Sequence, residues 1–99
     1  MPIHAFGLRP ALREEIISLA KRHGLSKVLL FGSRARGDYK TRSDIDLAIS
    51  GGKTAAFSLE AQEDTATLLS FDIVNLDGPV QDELRAAIQK EGVLLYEKS

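Results

Sequence analysis

Phe31–Ile49 reads FGSRARGDYKTRSDIDLAI, and the pattern of this stretch decides how the rest of the chain is organised. Gly32-Ser33 is followed by ten residues and then by Asp44-Ile45-Asp46. Immediately upstream, Lys27–Phe31 (KVLLF) is apolar from its second residue on. A continuous apolar run of this length predicts a strand buried on both faces, as in a sheet covered by helices. Ser33–Arg36 predicts a short helix after the Gly-Ser turn, and residues 38–43 a polar loop. Asp44–Ser50 then alternates, with Asp44, Asp46, Ala48 and Ser50 on one side and Ile45, Leu47 and Ile49 facing the core. The stretch is thus a strand, a Gly-rich turn with cationic residues, and a second strand that carries two acids on one face.

Upstream, Pro10–His23 predicts a helix, because Leu12, Ile16, Leu19, Ala20 and His23 recur at three- and four-residue spacing. Pro10 suits a first helical turn. Glu14 and Glu15 near the start, and Lys21 and Arg22 near the end, complement the helix dipole. Gly24 reads as the stop, and His23 as an end cap rather than a ligand. Downstream, Gly51-Gly52-Lys53 breaks the strand. Ser58–Leu69 predicts a helix that packs through Leu59, Ala66 and Leu69, although Thr65 and Thr67 lower its propensity. Ser70–Leu76 predicts a third strand, with Phe71 and Ile73 on one face and Asp72 and Val74 on the other. Asp77-Gly78-Pro79 is a turn. Pro79–Lys90 predicts a helix with Val80, Leu84, Ala87 and Ile88 inward, ended by Gly92. Val93–Tyr96 is either an edge strand or a tail packed on the last helix. The order α, β, short α, β, α, β, α predicts an α/β sandwich.

With 99 residues the chain predicts one small domain, which buries about 60–70% of its unfolded surface. A net charge of -1 makes no general case for binding nucleic acid. There is no cysteine, hence no disulfide and no thiolate metal site, which suits a cytoplasmic location. The N-terminal MPIHAFGLRP lacks a signal-peptide pattern, and no apolar run approaches the ~20 residues of a membrane span.

The chemistry resides in the acids and the turn. Residues two apart on a strand project to the same side, roughly 6.5 Å apart, so Asp44 and Asp46 can converge, and Asp72 can join them from a neighbouring strand. Two carboxylates 4 Å apart repel by about 4 kcal/mol at an effective dielectric near 20. Such a cluster calls for a cation, and an all-carboxylate set favours a hard ion, magnesium or manganese. Two such ions can clamp the attacking and leaving oxygens of a phosphoryl displacement. An Asp-x-Asp pair alone is commonly just a solvated pair, and it is the joint pattern that points to metal. Gly32 permits close backbone approach. Ser33 can cap the short helix, whose free N–H groups suit an anion, and Arg34 and Arg36 add positive charge. A Gly-Ser cap at a tight strand-to-helix turn also needs no ligand to explain it. Lys40 and Arg42 read as a solvated loop.

The combination GSRARG, SDIDL ten residues after Gly-Ser, and FDIVNL resembles the minimal nucleotidyltransferases, or MNT domains, of the DNA polymerase beta-like nucleotidyltransferase superfamily. The resemblance runs from the first helix to the closing GVLLY. It implies a single domain over residues 1–99 with the nucleotidyltransferase fold, a small mixed sheet of three to four strands flanked by helices. It further implies that Gly32 and Ser33 hold the triphosphate of ATP, with Arg36 and, less directly, Arg34 beside it. Asp44 and Asp46 match the ligands of two Mg2+ ions (Mn2+ being an alternative), and Asp72 matches the third acid, on the catalytic ion and near the acceptor hydroxyl. The departure from larger relatives is the absence of extra helical domains that bind an acceptor, which puts the acceptor in question.

MNT proteins often pair with HEPN-domain proteins as toxin–antitoxin modules, and some transfer AMP to a tyrosine of the partner. The resemblance therefore implies an adenylyltransferase antitoxin with a HEPN toxin as its partner. Two other readings stay open: a binding module that neutralises its partner by covering it, and a free-standing enzyme acting on a small molecule or RNA. Base preference and homo- or hetero-oligomeric state are not legible in the residues.

Overall fold

The computed structural model describes residues 8–40, 42–64 and 69–98. Within them the chain runs α1 (Pro10–Arg22), β1 (Lys27–Phe31), α2 (Ser33–Arg36), β2 (Ile45–Ser50), α3 (Thr54–Asp64), β3 (Phe71–Asn75), α4 (Asp82–Glu91) and β4 (Val93–Glu97). The four strands form one mixed sheet in the order β3-β2-β1-β4, with β1 antiparallel to both β2 and β4, and β2 parallel to β3. The parallel pair needs a crossover, and α3 supplies it. This is the α/β architecture expected, and Val93–Glu97 resolves as an edge strand.

Side-chain alternation divides the molecule into two layers. Val28, Leu30, Ile45, Leu47, Ile49 and Phe71 point to one face, where they pack with Leu12, Ile16, Leu19 and Ala20 of α1 and Phe57 and Ala61 of α3. Spacings of four, three and one residues put the α1 set on a single helical stripe. The other face holds a smaller cluster of Phe31, Ala48 and Ile88, with Leu29, Val74, Leu76 and Leu84 partly buried against it. Ala48 is therefore no solvent-facing alternate. It is fully buried because α4 lies over that side.

Several local expectations are corrected. The first turn of α1 carries no acid, so Glu14 and Glu15 sit too far along to meet the N-terminal dipole, whereas Lys21 and Arg22 do occupy the last turn. His23 is the C-cap residue, its backbone N–H donating to Leu19 and its ring bonding Glu60 Oε1 at 2.7 Å, while Arg22 pairs with the other Glu60 oxygen. That carboxylate pins α1 to α3. Helix α3 begins four residues earlier than expected, at Thr54, because Gly51 and Gly52 both adopt positive φ (77° and 63°) and turn the chain within two residues. Its buried positions are Phe57 and Ala61, one turn apart, and Leu59 is 62% exposed rather than packed. Leu69 is partly buried against the main core. Thr41 and residues 65–68, including Ala66, lie outside the described residues. Helix α4 starts at Asp82, not Pro79, and Asp82 and Glu83 occupy its first turn, where acids favour the dipole. Val80 precedes the helix and is half-buried.

Candidate active site

The register of β2 against β3 places Asp46 directly opposite Asp72. Both residues lie on the α4 side of the sheet, on neighbouring strands about 4.8 Å apart. Asp44 stands two residues earlier, just before β2 begins, and is exposed, as is Asp72, whereas Asp46 is half-buried. On its other side Asp46 is the register partner of Phe31, the last residue of β1. The chain turns from Phe31 into α2 through Gly32, which adopts φ 74°, ψ -155°. That region is open essentially to glycine alone. A Cβ on Gly32 would also run into the Asp46 carboxylate. The turn and the central acid are thus pressed together, and only a residue without a side chain allows it.

Electrostatics agree with this crowding. The Asp46 carboxyl is pushed above its usual range, chiefly by burial, then by the charges of Asp72 and Asp44, while Arg36 and Arg34 act in the opposite sense. The other two acids read from sequence, Asp72 and Asp44, therefore both act on the Asp46 carboxyl. Among the described residues no group of three or more His, Cys, Asp or Glu side chains forms a ready-made metal cage. The donor set nonetheless fits a hard divalent ion: it is all carboxylate, open to solvent at Asp44 and Asp72, and its central member is destabilised as an anion by the other two.

Around the turn the residues separate. Ser33 is the first residue inside α2, and Gly32 is the N-cap with no side-chain cap bond, so the expected Ser33 cap does not form. Ser33 instead accepts from the N–H groups of Gly37 and Asp38 through its backbone carbonyl. Arg36 is exposed and bridges two acids, Asp38 Oδ2 at 3.3 Å and Glu91 Oε1 at 3.1 Å. Its guanidinium is raised above its usual value, first by the bond to Asp38 and also by Glu91. Arg34 is the one buried charged residue among those described, 5% exposed. Its Nε and Nη2 donate to the Ser43 carbonyl at 3.1 and 2.9 Å, and its guanidinium lies over the Tyr39 ring, 4.9 Å from the centroid. Arg34 thus points into the 38–43 connection rather than outward. Lys40 and Arg42 are exposed, as a solvated loop predicts.

Tyr39 and Glu91 were not singled out from sequence. Tyr39 is an isolated aromatic in a polar loop, and Glu91 meets Arg36 across 55 residues of chain. A separate groove between α1 and α3, lined by Glu14, Glu15, Ser18, Arg22 and Glu60, belongs to the helical layer on the far side of the sheet from the acids. No helix among the described residues is long and apolar enough to cross a membrane.

A Gly-bearing turn packed against Asp46, on a mixed sheet with Asp72 in register beside it, matches the nucleotidyltransferase fold. The chain belongs to the polymerase beta nucleotidyltransferase family, whose profile matches residues 14–99. A protein of Methanocaldococcus jannaschii, provisionally named a protein adenylyltransferase, is 44% identical over 66 residues, covering 65% of this chain and 64% of that protein. The chain thus matches a little under two thirds of that relative's length. A solved structure described provisionally as a minimal nucleotidyltransferase is 32% identical, with a TM-score of 0.64 over 82% of this chain and 86% of that one. A crystal structure of a mutant of the toxin–antitoxin MntA-HpeT is 25% identical, with a TM-score of 0.67 over 86% of this chain and 72% of that chain.

Proposed function

We propose that this chain is a Mg2+-dependent adenylyltransferase that moves AMP from ATP to a hydroxyl of a partner protein, a tyrosine of a HEPN-domain toxin, and so acts as its antitoxin. The observation that carries the reading is the register of Asp46 against Asp72, with Asp44 beside them and Gly32 pressed on Asp46. Adenylyl transfer is suggested by the name of the Methanocaldococcus relative, and a toxin partner by the MntA-HpeT likeness.

In this reading the acceptor oxygen attacks the α-phosphorus, a new P–O bond forms, and the bond to pyrophosphate breaks. Catalysis of such a displacement is mostly positioning and charge neutralisation. Asp44 and Asp46 would hold the divalent ions, and Asp72, on the adjacent strand, would join them at the catalytic ion and lie near the acceptor hydroxyl. Bound magnesium supplies Lewis-acid neutralisation of the triphosphate and activation of the attacking oxygen. Gly32 and Ser33 receive the triphosphate at the turn, with Arg36 adding positive charge near it. Arg36 is already bridged to Asp38 and Glu91, so its contribution is to the local field rather than as an uncompensated cation.

The test is to mix the chain with its candidate toxin, ATP labelled at the α-phosphate, and magnesium. The toxin should gain an AMP adduct on tyrosine. Asp72→Asn should abolish the adduct and leave the complex intact. If wild-type protein and Asp72→Asn neutralise the toxin equally with no adduct on it, the chain is a covering antitoxin and not a transferase.

A further inference from the structure

We infer that Arg34 is a positioning residue that sets where Asp44 stands, and not a ligand of the triphosphate; this rests on the reading of Asp44 as a metal-binding acid. Asp44 lies outside β2, so the strand ladder does not hold it. Its backbone is held from both neighbours instead. Downstream, the Ile45 N–H donates to the Ser70 carbonyl at 2.9 Å. Upstream, two N–H groups of Arg34 converge on the Ser43 carbonyl at 2.9 and 3.1 Å. That carbonyl oxygen shares one rigid peptide plane with the nitrogen and Cα of Asp44. With that oxygen held by two donors from a planar guanidinium and the Ile45 N–H held on Ser70, both peptide planes that flank the Asp44 Cα are anchored, and with them the direction in which its side chain leaves the chain.

The rest of the environment suits this role and not phosphate binding. Arg34 is buried, 5% exposed, and Tyr39 covers the guanidinium at 4.9 Å, within the range of a cation–π contact. Tyr39 and Ser43 belong to the same connection between α2 and β2, so Arg34 clamps that connection at both ends. The connection is also closed on itself, because the Lys40 N–H donates to Ser43 Oγ at 2.8 Å and the Ser43 N–H to the Lys40 carbonyl at 2.9 Å. A lysine at this position keeps the charge but loses the planar fork and its stacking.

The test compares Arg34→Lys, Tyr39→Ala and Tyr39→Phe with wild type by two readouts. The first is hydrogen exchange at the hydrogen-bonded amides of Ser43 and Ile45 in the protein without metal or nucleotide, with the Val28 and Leu30 amides reporting the core. The second is Mn2+ affinity in the presence of ATP, followed by the electron paramagnetic resonance of the ion. Arg34→Lys should speed exchange at Ser43 and Ile45 with the core amides unchanged. It should also weaken Mn2+ by roughly 10–100-fold, the usual loss when an outer partner of a ligand is removed. Kinetically, kcat should fall and the KM for ATP should hold. Tyr39→Ala should move the same readouts less, and Tyr39→Phe should leave them near wild type, since the ring is retained. Unchanged exchange, with a raised KM for ATP and an unaltered kcat, would overturn the inference and return Arg34 to the triphosphate. If wild-type protein binds no Mn2+ with ATP, the metal reading of Asp44 has failed, and with it the inference; a faster exchange at Ser43 and Ile45 in Arg34→Lys would then mark Arg34 as a purely structural clamp.

Discussion

On one face of the sheet α1 and α3 cover Val28, Leu30, Ile45, Leu47 and Ile49, none of which keeps any exposed surface. On the other face α4 buries Ala48 and Phe31 beneath Ile88 and leaves Leu29, Val74, Leu76 and Leu84 partly open. Asp46 and Asp72 stand on that thinner side, at the end where Phe31 passes into the Gly32 turn. The thick face concentrates apolar burial, where each fully buried large aliphatic or aromatic side chain contributes about 1.5–3 kcal/mol. The thin face carries acids that repel one another and is the side to which the proposed function assigns the nucleotide and its ions. If the proposed function holds, stability and chemistry lie on opposite sides of one four-stranded sheet, and substitutions should sort by side.

The largest effect belongs to the thick face. Phe57→Ala should destabilise the protein by about 3–5 kcal/mol, read as a lower urea midpoint, whereas Leu84→Ala on the half-buried side of α4 should lose clearly less. Equal losses would break the division into a thick and a thin face. Next in size, the double substitution Asp44→Asn with Asp46→Asn should slow AMP transfer on the order of 10²–10³-fold. It should leave the melting temperature unchanged or raised, because like charges are relieved. A double variant that melts several degrees lower would mean that the acids serve the fold.

Gly32→Ala should destabilise by about 1–3 kcal/mol from the forbidden φ and should also displace the Asp46 carboxylate, so that divalent-ion binding falls with stability. A Gly32→Ala protein that binds Mn2+ like wild type would show that Asp46 does not depend on the turn. Ser33→Ala should change stability by no more than about 0.5 kcal/mol, since no side-chain cap is lost. It should weaken ATP more than AMP if the serine serves the triphosphate. The smallest effect is in pH. Folding raises the Asp46 carboxyl above its ordinary 3.8, so between that value and the raised one the folded state binds more protons than the unfolded one. The stability this group contributes is present below pH 3.8 and is lost as pH rises through the raised value. In metal-free protein Asp46→Asn should flatten that decline, measured by denaturation midpoints across the acid range.

Elements with a single strong periodicity were legible in sequence. The α1 stripe, the KVLLF strand and the alternation of Asp44–Ser50 each follow from one repeat, and each appears within a residue or so of the expected bounds. Helix α3 was not, because its start depends on the two positive-φ glycines, and its buried pair, Phe57 and Ala61, is too short a signal to outweigh the more prominent Leu59. The capping role of Ser33 was misplaced for a different reason: α2 begins at Ser33, as expected, so the residue before it, Gly32, is the N-cap.

By itself the sequence determined the strand–turn–strand frame, the side of each strand on which the acids stand, and the α/β class, because all three follow from local periodicity and residue chemistry. Only the tertiary structure decided that Asp72 lies in register with Asp46, that Gly32 is pressed on that same carboxylate, and that Arg34 turns inward to Ser43 and Tyr39. Those facts depend on strand order, on the α3 crossover and on which groups are left to satisfy a buried charge. None of these is encoded within any one stretch of the chain.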